Sequence, residues 1–233
     1  MIYKNIFGLY YKLVYICVVN MKLYTLFIAN LSVLAAFGQS ATYKESLKKN
    51  IQLFENAQTS SDFTKAASGF ETLATAEKKE WLPFYYAGIC DALAAFVTIK
   101  KDIDAYCDKA DSFARKADSL SSGNSEVLVL KSTIAAARIT ANQVKRAQKY
   151  GALSAKLASE AVKLNEDNPR AYYVKARAIL HTPPAFGGGE KKAKPVFELA
   201  LEKFKTFKPE SNLHPTWGKE EAEKELKKIS TKK

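Results

Sequence analysis

Ala161-Val162-Lys163-Leu164-Asn165-Glu166-Asp167-Asn168-Pro169-Arg170-Ala171-Tyr172-Tyr173-Val174-Lys175-Ala176 decides the fold. Apolar residues recur with a period near 3.6 on both sides of the polar break Asn165 to Pro169, so the run reads as helix, turn, helix. The same arrangement recurs 44 residues away. Gly88, Ser132 and Ala176 share that offset, each a small residue inside the first helix of a pair. Leu73, Ala117 and Ala161 share it in the second helices, and Leu120 and Leu164 keep it as well. So do Asn124 and Asn168 in the turn and Lys131 and Lys175 just after it. Matching small residues, turn residues and offset together indicate an internal repeat. Small residues at such positions let two helices approach closely.

Working outward, the helical period persists from Thr42 onward, with no stretch of strand alternation. Breakers fall at Thr59–Asp62, Lys78–Pro83, Lys100–Asp102, Ser121–Ser125, Ala141–Asn142, Asn165–Pro169 and Thr182–Gly189. About eight helices of roughly 14–20 residues lie between them, and a ninth runs from about Lys219 to Ile229. The expected fold is all-α, a right-handed stack of antiparallel helix pairs. It has about four degenerate units and a C-terminal capping helix.

The pattern resembles the tetratricopeptide-repeat family over about residues 42–207. Asp62-Phe63-Thr64-Lys65-Ala66 with Phe70 and Leu73 matches the second-helix positions of that motif. Ala193, Phe197 and Ala200 repeat it, and Ala110, Ala114 and Ala117 do so weakly. Phe84 with Gly88, and Tyr172 with Ala176, stand at the large and small positions of the first helices. The chain departs from the family in its 44-residue spacing, against about 34 in the usual unit. Ser122 and Glu166 also replace the closing Pro. The longer spacing calls for longer middle helices. A second resemblance rests on Asn168–Tyr172, His181–Gly189, Phe207-Lys208-Pro209 and Leu213–Lys219. These runs are similar to a group of uncharacterised exported repeat proteins of Bacteroidetes bacteria. That resemblance implies the fold and export, and it brings no catalytic residues.

The N-terminus carries an address. Residues 1–38 hold Lys4, Lys12 and Lys22 and no acidic residue. From Met21, Lys22 is a short basic region, Leu23 to Phe37 an apolar one, and Ala36-Phe37-Gly38 a small-x-small cleavage site. Residues 21–38 therefore read as a signal peptide, with export to the periplasm or beyond the cell. Residues 1–20 read either as an upstream extension, with translation starting at Met21, or as part of a longer apolar segment that anchors in a membrane. Cys17 has a poor lipoprotein context, and lipidation is not expected. The domain order is then a helical repeat domain at 39–216 and a capping helix with a basic tail at 217–233.

The 233 residues carry 36 basic and 24 acidic side chains, a formal charge of +12. Without 1–38 it is +9. Export argues against nucleic acid as partner and leaves anionic lipid, acidic glycan or acidic protein. Membrane contact is expected only through an uncleaved N-terminus, if at all. Three Cys and two His exclude a zinc module or disulfide scaffold. Cys90 and Cys107 fall on consecutive helices, where a disulfide and two buried free thiols are both open readings.

Candidate chemistry is sparse. Gly187-Gly188-Gly189 before a helix lacks the lysine and strand of a phosphate loop, and Glu190 opposes an anion. It reads as a reversal, with Phe186 plugging back onto the bundle. His181 and His214 read as a helix-end cap and loop packing. Asp102, Asp104, Asp108 and Asp111 read as a solvated or salt-bridged face. Trp217 is expected to pack the last helix over the fourth unit, and Trp81 to seal the turn between the first two. No catalytic residue, metal ligand or cofactor is expected. The candidate binding surface is the shared face of the first helices, with Tyr85 and Ile89 from the second unit and Tyr173, Arg177 and His181 from the fourth. The expected function is a non-enzymatic exported scaffold that binds a protein or peptide in the envelope. The alternative is a small-ligand or glycan-binding component of an envelope uptake system.

Overall fold

A computed structural model describes residues 42–231, and residues from Ser46 onward form one compact unit. The leader and its cleavage site lie outside the described residues. Every regular element among the described residues is helical. They are α1 (42–55), α2 (Ser60–Ala76), α3 (Trp81–Val97), α4 (Ile103–Leu120), α5 (Ser125–Ala141), α6 (Gln143–Leu164), α7 (Pro169–His181), α8 (Glu190–Thr206) and α9 (Lys219–Thr231). The middle second helices are long, 18 residues in α4 and 22 in α6, as the wide repeat spacing requires.

The repeat positions are structural equivalents. Asn124 and Asn168 are the N-caps of α5 and α7, each accepting a hydrogen bond from the backbone two residues on. The carbonyls of Leu73, Ala117 and Ala161 accept the closing N–H of Glu77, Ser121 and Asn165 at the ends of α2, α4 and α6. One 44-residue register thus fixes both where second helices stop and where first helices start. At Gly88 a methyl group would lie 3.0 Å from Leu130 Cδ2 and 3.3 Å from Phe113 Cβ. A side chain there would require those neighbours to give by a few tenths of an ångström. Ser132, its equivalent, instead bonds Ser154 Oγ at 3.0 Å across the α5–α6 contact.

Each first helix packs on the next one, α3 on α5 and α5 on α7, with the second helices behind them. The apolar stripe of every second helix is small and periodic. Ala66 and Phe70, then Ala110, Ala114 and Ala117, then Ala158 and Ala161, then Ala193, Phe197 and Ala200 are all buried. Tyr86 holds the front of the core, stacked on Phe70 at 4.9 Å with Phe54 edge-on at 5.9 Å. Such aromatic pairs add about 1 kcal/mol each to the burial itself. Cys90 and Cys107 are both free thiols in this core.

One local expectation changes. Phe186 does not plug the bundle. It stands 82% exposed in a short 3-10 turn. The reversal itself is made by the glycines, with Gly187 and Gly189 at φ 88° and 92° and Gly188 where a Cβ would fall 2.1 Å from the Thr182 carbonyl oxygen. Helix α9 does cover α8, with Ala222 entering the core beside Phe197. Trp217 packs against the fourth-unit core that holds Tyr173 and Phe197, and it also donates Nε1–H to Tyr85 Oη at 3.0 Å, 132 residues earlier. The Trp81 ring also meets His214 at 5.8 Å.

Candidate functional site

Tyr85 and Tyr173 are two repeats apart and occupy equivalent positions on the face shared by α3 and α7. That face is not open. The segment 207–218 leaves α8 and runs back across the first helices. Tyr86 Oη donates to the Leu213 carbonyl at 3.0 Å, and Thr216 Oγ1 reaches Glu55. Trp217 lies between the two equivalent tyrosines, bonded to Tyr85 and edge-on to Tyr173 at 6.3 Å.

Beneath this segment lies a buried polar chain that the sequence did not reveal. Arg170 Nε and Nη2 donate to both carboxylate oxygens of Glu126 at 2.7–3.0 Å. Tyr85 Oη donates to Glu126 Oε2 at 3.2 Å, and Phe207 covers the guanidinium at 4.7 Å. Burial opposes the Arg170 charge, and the Glu126 carboxylate more than offsets it. Burial and then Glu126 raise the Tyr85 phenol, which stays a neutral donor. Glu126 and Arg170 are themselves one repeat apart. The only sequence signal for the pair was that spacing, with opposite charges at equivalent helix starts.

Of the candidate surface residues, Tyr85 and Ile89 are wholly buried and offer nothing to a partner in this arrangement. Tyr173 is 5% exposed, with the Arg177 guanidinium over its ring at 5.8 Å. Arg177 is half-buried and lies 5.0 Å over the ring of Phe96, at the far end of α3. His181 closes α7 and is exposed. Partial burial of its ring, and then Arg177, lower its pKa, with Glu225 of α9 opposing. The structure therefore brings Tyr173, Arg177 and His181 together and adds Phe96 and Glu225. It separates them from Tyr85. Cation and aromatic ring meet here in the geometry of a cation–π contact, beside an imidazole biased to its neutral form.

His214 lies at the opposite end of α3. Its Nδ1 is 2.9 Å from Ser211 and its Nε2 3.2 Å from Glu210. The acidic face of α4 is salt-bridged. Arg138 pairs with Asp108 and Asp111, and Arg146 with Asp104.

No family model matches the sequence, and no curated protein matches it. The structure is similar to the HusA haemophore from Porphyromonas gingivalis, with a TM-score of 0.74 and 30% sequence identity. The match spans 82% of this chain and 95% of that one. The chain belongs to the structural family of that haemophore. That neighbour is named as a haemophore. The neighbour's organism is a Bacteroidetes bacterium, in keeping with the resemblance read from the sequence. Among the described residues no helix is long and apolar enough to cross a membrane.

Proposed function

We propose that this protein is a non-enzymatic envelope carrier of haem or a related tetrapyrrole. The observation that carries the reading is the likeness to a haemophore over nearly that protein's whole length at 30% identity. It favours the small-ligand alternative over a peptide scaffold. The segment 207–218 supports the same choice. It already lies along the first-helix face that a bound peptide would need.

The ligand site is the cluster at the end of α7. Phe96 supplies an aromatic face, Arg177 a cation for a propionate carboxylate, and His181 a neutral imidazole able to ligate iron. Haem is the cargo here. Titration with haemin should give saturable one-to-one binding with a shifted and sharpened Soret band. Arg177→Ala should weaken affinity roughly tenfold or more, the worth of a charge-assisted hydrogen bond. His181→Ala should change the Soret band of haemin while leaving quenching of iron-free protoporphyrin fluorescence nearly intact. Linear, unsaturable haemin binding would end this reading. Saturable binding indifferent to Arg177 and His181 would move the site elsewhere on the chain.

A further inference from the structure

The first helices run parallel, because each is followed by one antiparallel helix. The ends of α3, α5 and α7 therefore share one edge of the stack. The three most exposed large apolar side chains among the described residues, Val144 at 95%, Phe186 at 82% and Ile99 at 60%, all stand on that edge. Each comes from a different unit. Scattered surface apolar residues need no explanation, but a row on one edge does.

These tips are held, not frayed. Ile99 is in extended backbone and caps the 3-10 turn Lys100–Asp102. Val144 lies in the first turn of α6, behind the Asn142 cap that accepts from the Lys145 N–H. Phe186 is fixed between Pro183-Pro184 and the positive-φ Gly187. Each tip also has lysines beside it. Lys100 and Lys101 follow Ile99, Lys145 follows Val144, and Lys191 and Lys192 open the helix after Phe186. All five are exposed. The nearby acids are fewer, and Asp104 is bound to Arg146 at 2.5 and 2.8 Å.

We propose that this edge docks onto an anionic lipid bilayer surface. An edge of one apolar tip per unit, ringed by lysines, matches a boundary that is apolar inside and negatively charged outside. Lysine stems can lie along the apolar tips while their ammonium groups reach lipid phosphates. Such a contact is independent of the N-terminal leader and goes beyond ligand binding.

The test is co-sedimentation of the haem-free protein with phosphatidylcholine vesicles, with and without phosphatidylglycerol. The protein should partition onto the anionic vesicles and not the neutral ones, and high salt should release it. Val144→Asp combined with Phe186→Asp should lower partitioning at least about tenfold, as should Lys100→Glu with Lys145→Glu. Leu164→Asp, at an exposed site on the opposite end, should leave it unchanged, and melting curves should show all variants folded. The proposal is overturned if wild type ignores anionic vesicles. It is also overturned if the tip variants bind like wild type, or if Leu164→Asp lowers binding equally. Because no haem is present, failure here leaves the carrier reading standing, and the haemin titration fails or succeeds on its own.

Discussion

The two ends of the helix stack are built differently. At the end where α3, α5 and α7 begin, side chains from distant units are tied together. Asn168 caps α7 and also donates to Ser125 Oγ at 2.9 Å, which donates to the Ala161 carbonyl at 2.9 Å. Glu126 and Arg170 pair beneath Phe207, and a cavity of ≈ 390 Å³ is walled by Trp81, Asn124, Phe207 and His214. At the end where these helices stop, the loops are short or glycine-rich, the tips point to solvent, and Arg177 and His181 remain accessible. One end holds the units in register. The other leaves its side chains accessible, as loops on a rigid scaffold commonly do.

Breaking the pair at the tied end should have the largest effect. Arg170→Ala leaves Glu126 buried without a countercharge and should cost about 3–5 kcal/mol in urea unfolding at pH 7. A loss below about 1 kcal/mol would show that the tied end does not hold the units. Next comes Asp91, in the middle of α3, which neither end protects. It is 1% exposed, and burial raises its pKa to about 7, with Lys109 opposing. The unfolded chain ionises this carboxyl near 3.8, so the folded state binds the extra proton between about pH 4 and 7. Stability from this group is therefore full below pH 4 and falls as pH rises through 7. Asp91→Asn should stabilise by a few kcal/mol at pH 8 and by almost nothing at pH 4. Thermal melts at the two pH values would check the sign.

Smaller changes sharpen the contrast between caps. Asn168→Ala removes a buried cap and the link to Ser125 and should cost about 2 kcal/mol. Asn142→Ala removes an exposed cap at the open end and should cost about 0.5–1 kcal/mol. Equal losses would argue that both ends are held by local helix chemistry alone. Smallest of all, Val144→Asp or Phe186→Asp should shift stability by less than about 0.5 kcal/mol, since neither side chain enters the core. A large loss there would mean that the open end is also structural.

Much of the fold was legible because it is local. Helix period, the 44-residue offset, the Asn turns and the alanine stripes each depend on neighbours a few residues away or one repeat away. The fourth-unit candidates were legible for the same reason: Tyr173, Arg177 and His181 share one helix face. Tyr85 was read to the correct face and the wrong environment. Nothing within α3 states that residues 207–218 return to cover it. Phe96 was missed because it meets Arg177 only across the stack. Phe186 was misread because an aromatic next to a glycine reversal can turn inward or outward, and the approach of Gly188 to Thr182 decides which.

The sequence by itself determined the all-helical repeat, its register and where each helix starts and stops, since backbone hydrogen bonding and side-chain period are short-range. Tertiary structure alone decided which face stays open, which charges are paired in the interior and which apolar tips share an edge. Those outcomes depend on the path of a C-terminal segment whose contacts lie up to 161 residues away in the chain, between Glu55 and Thr216. Such contacts leave no periodic mark in the sequence, because each is made once.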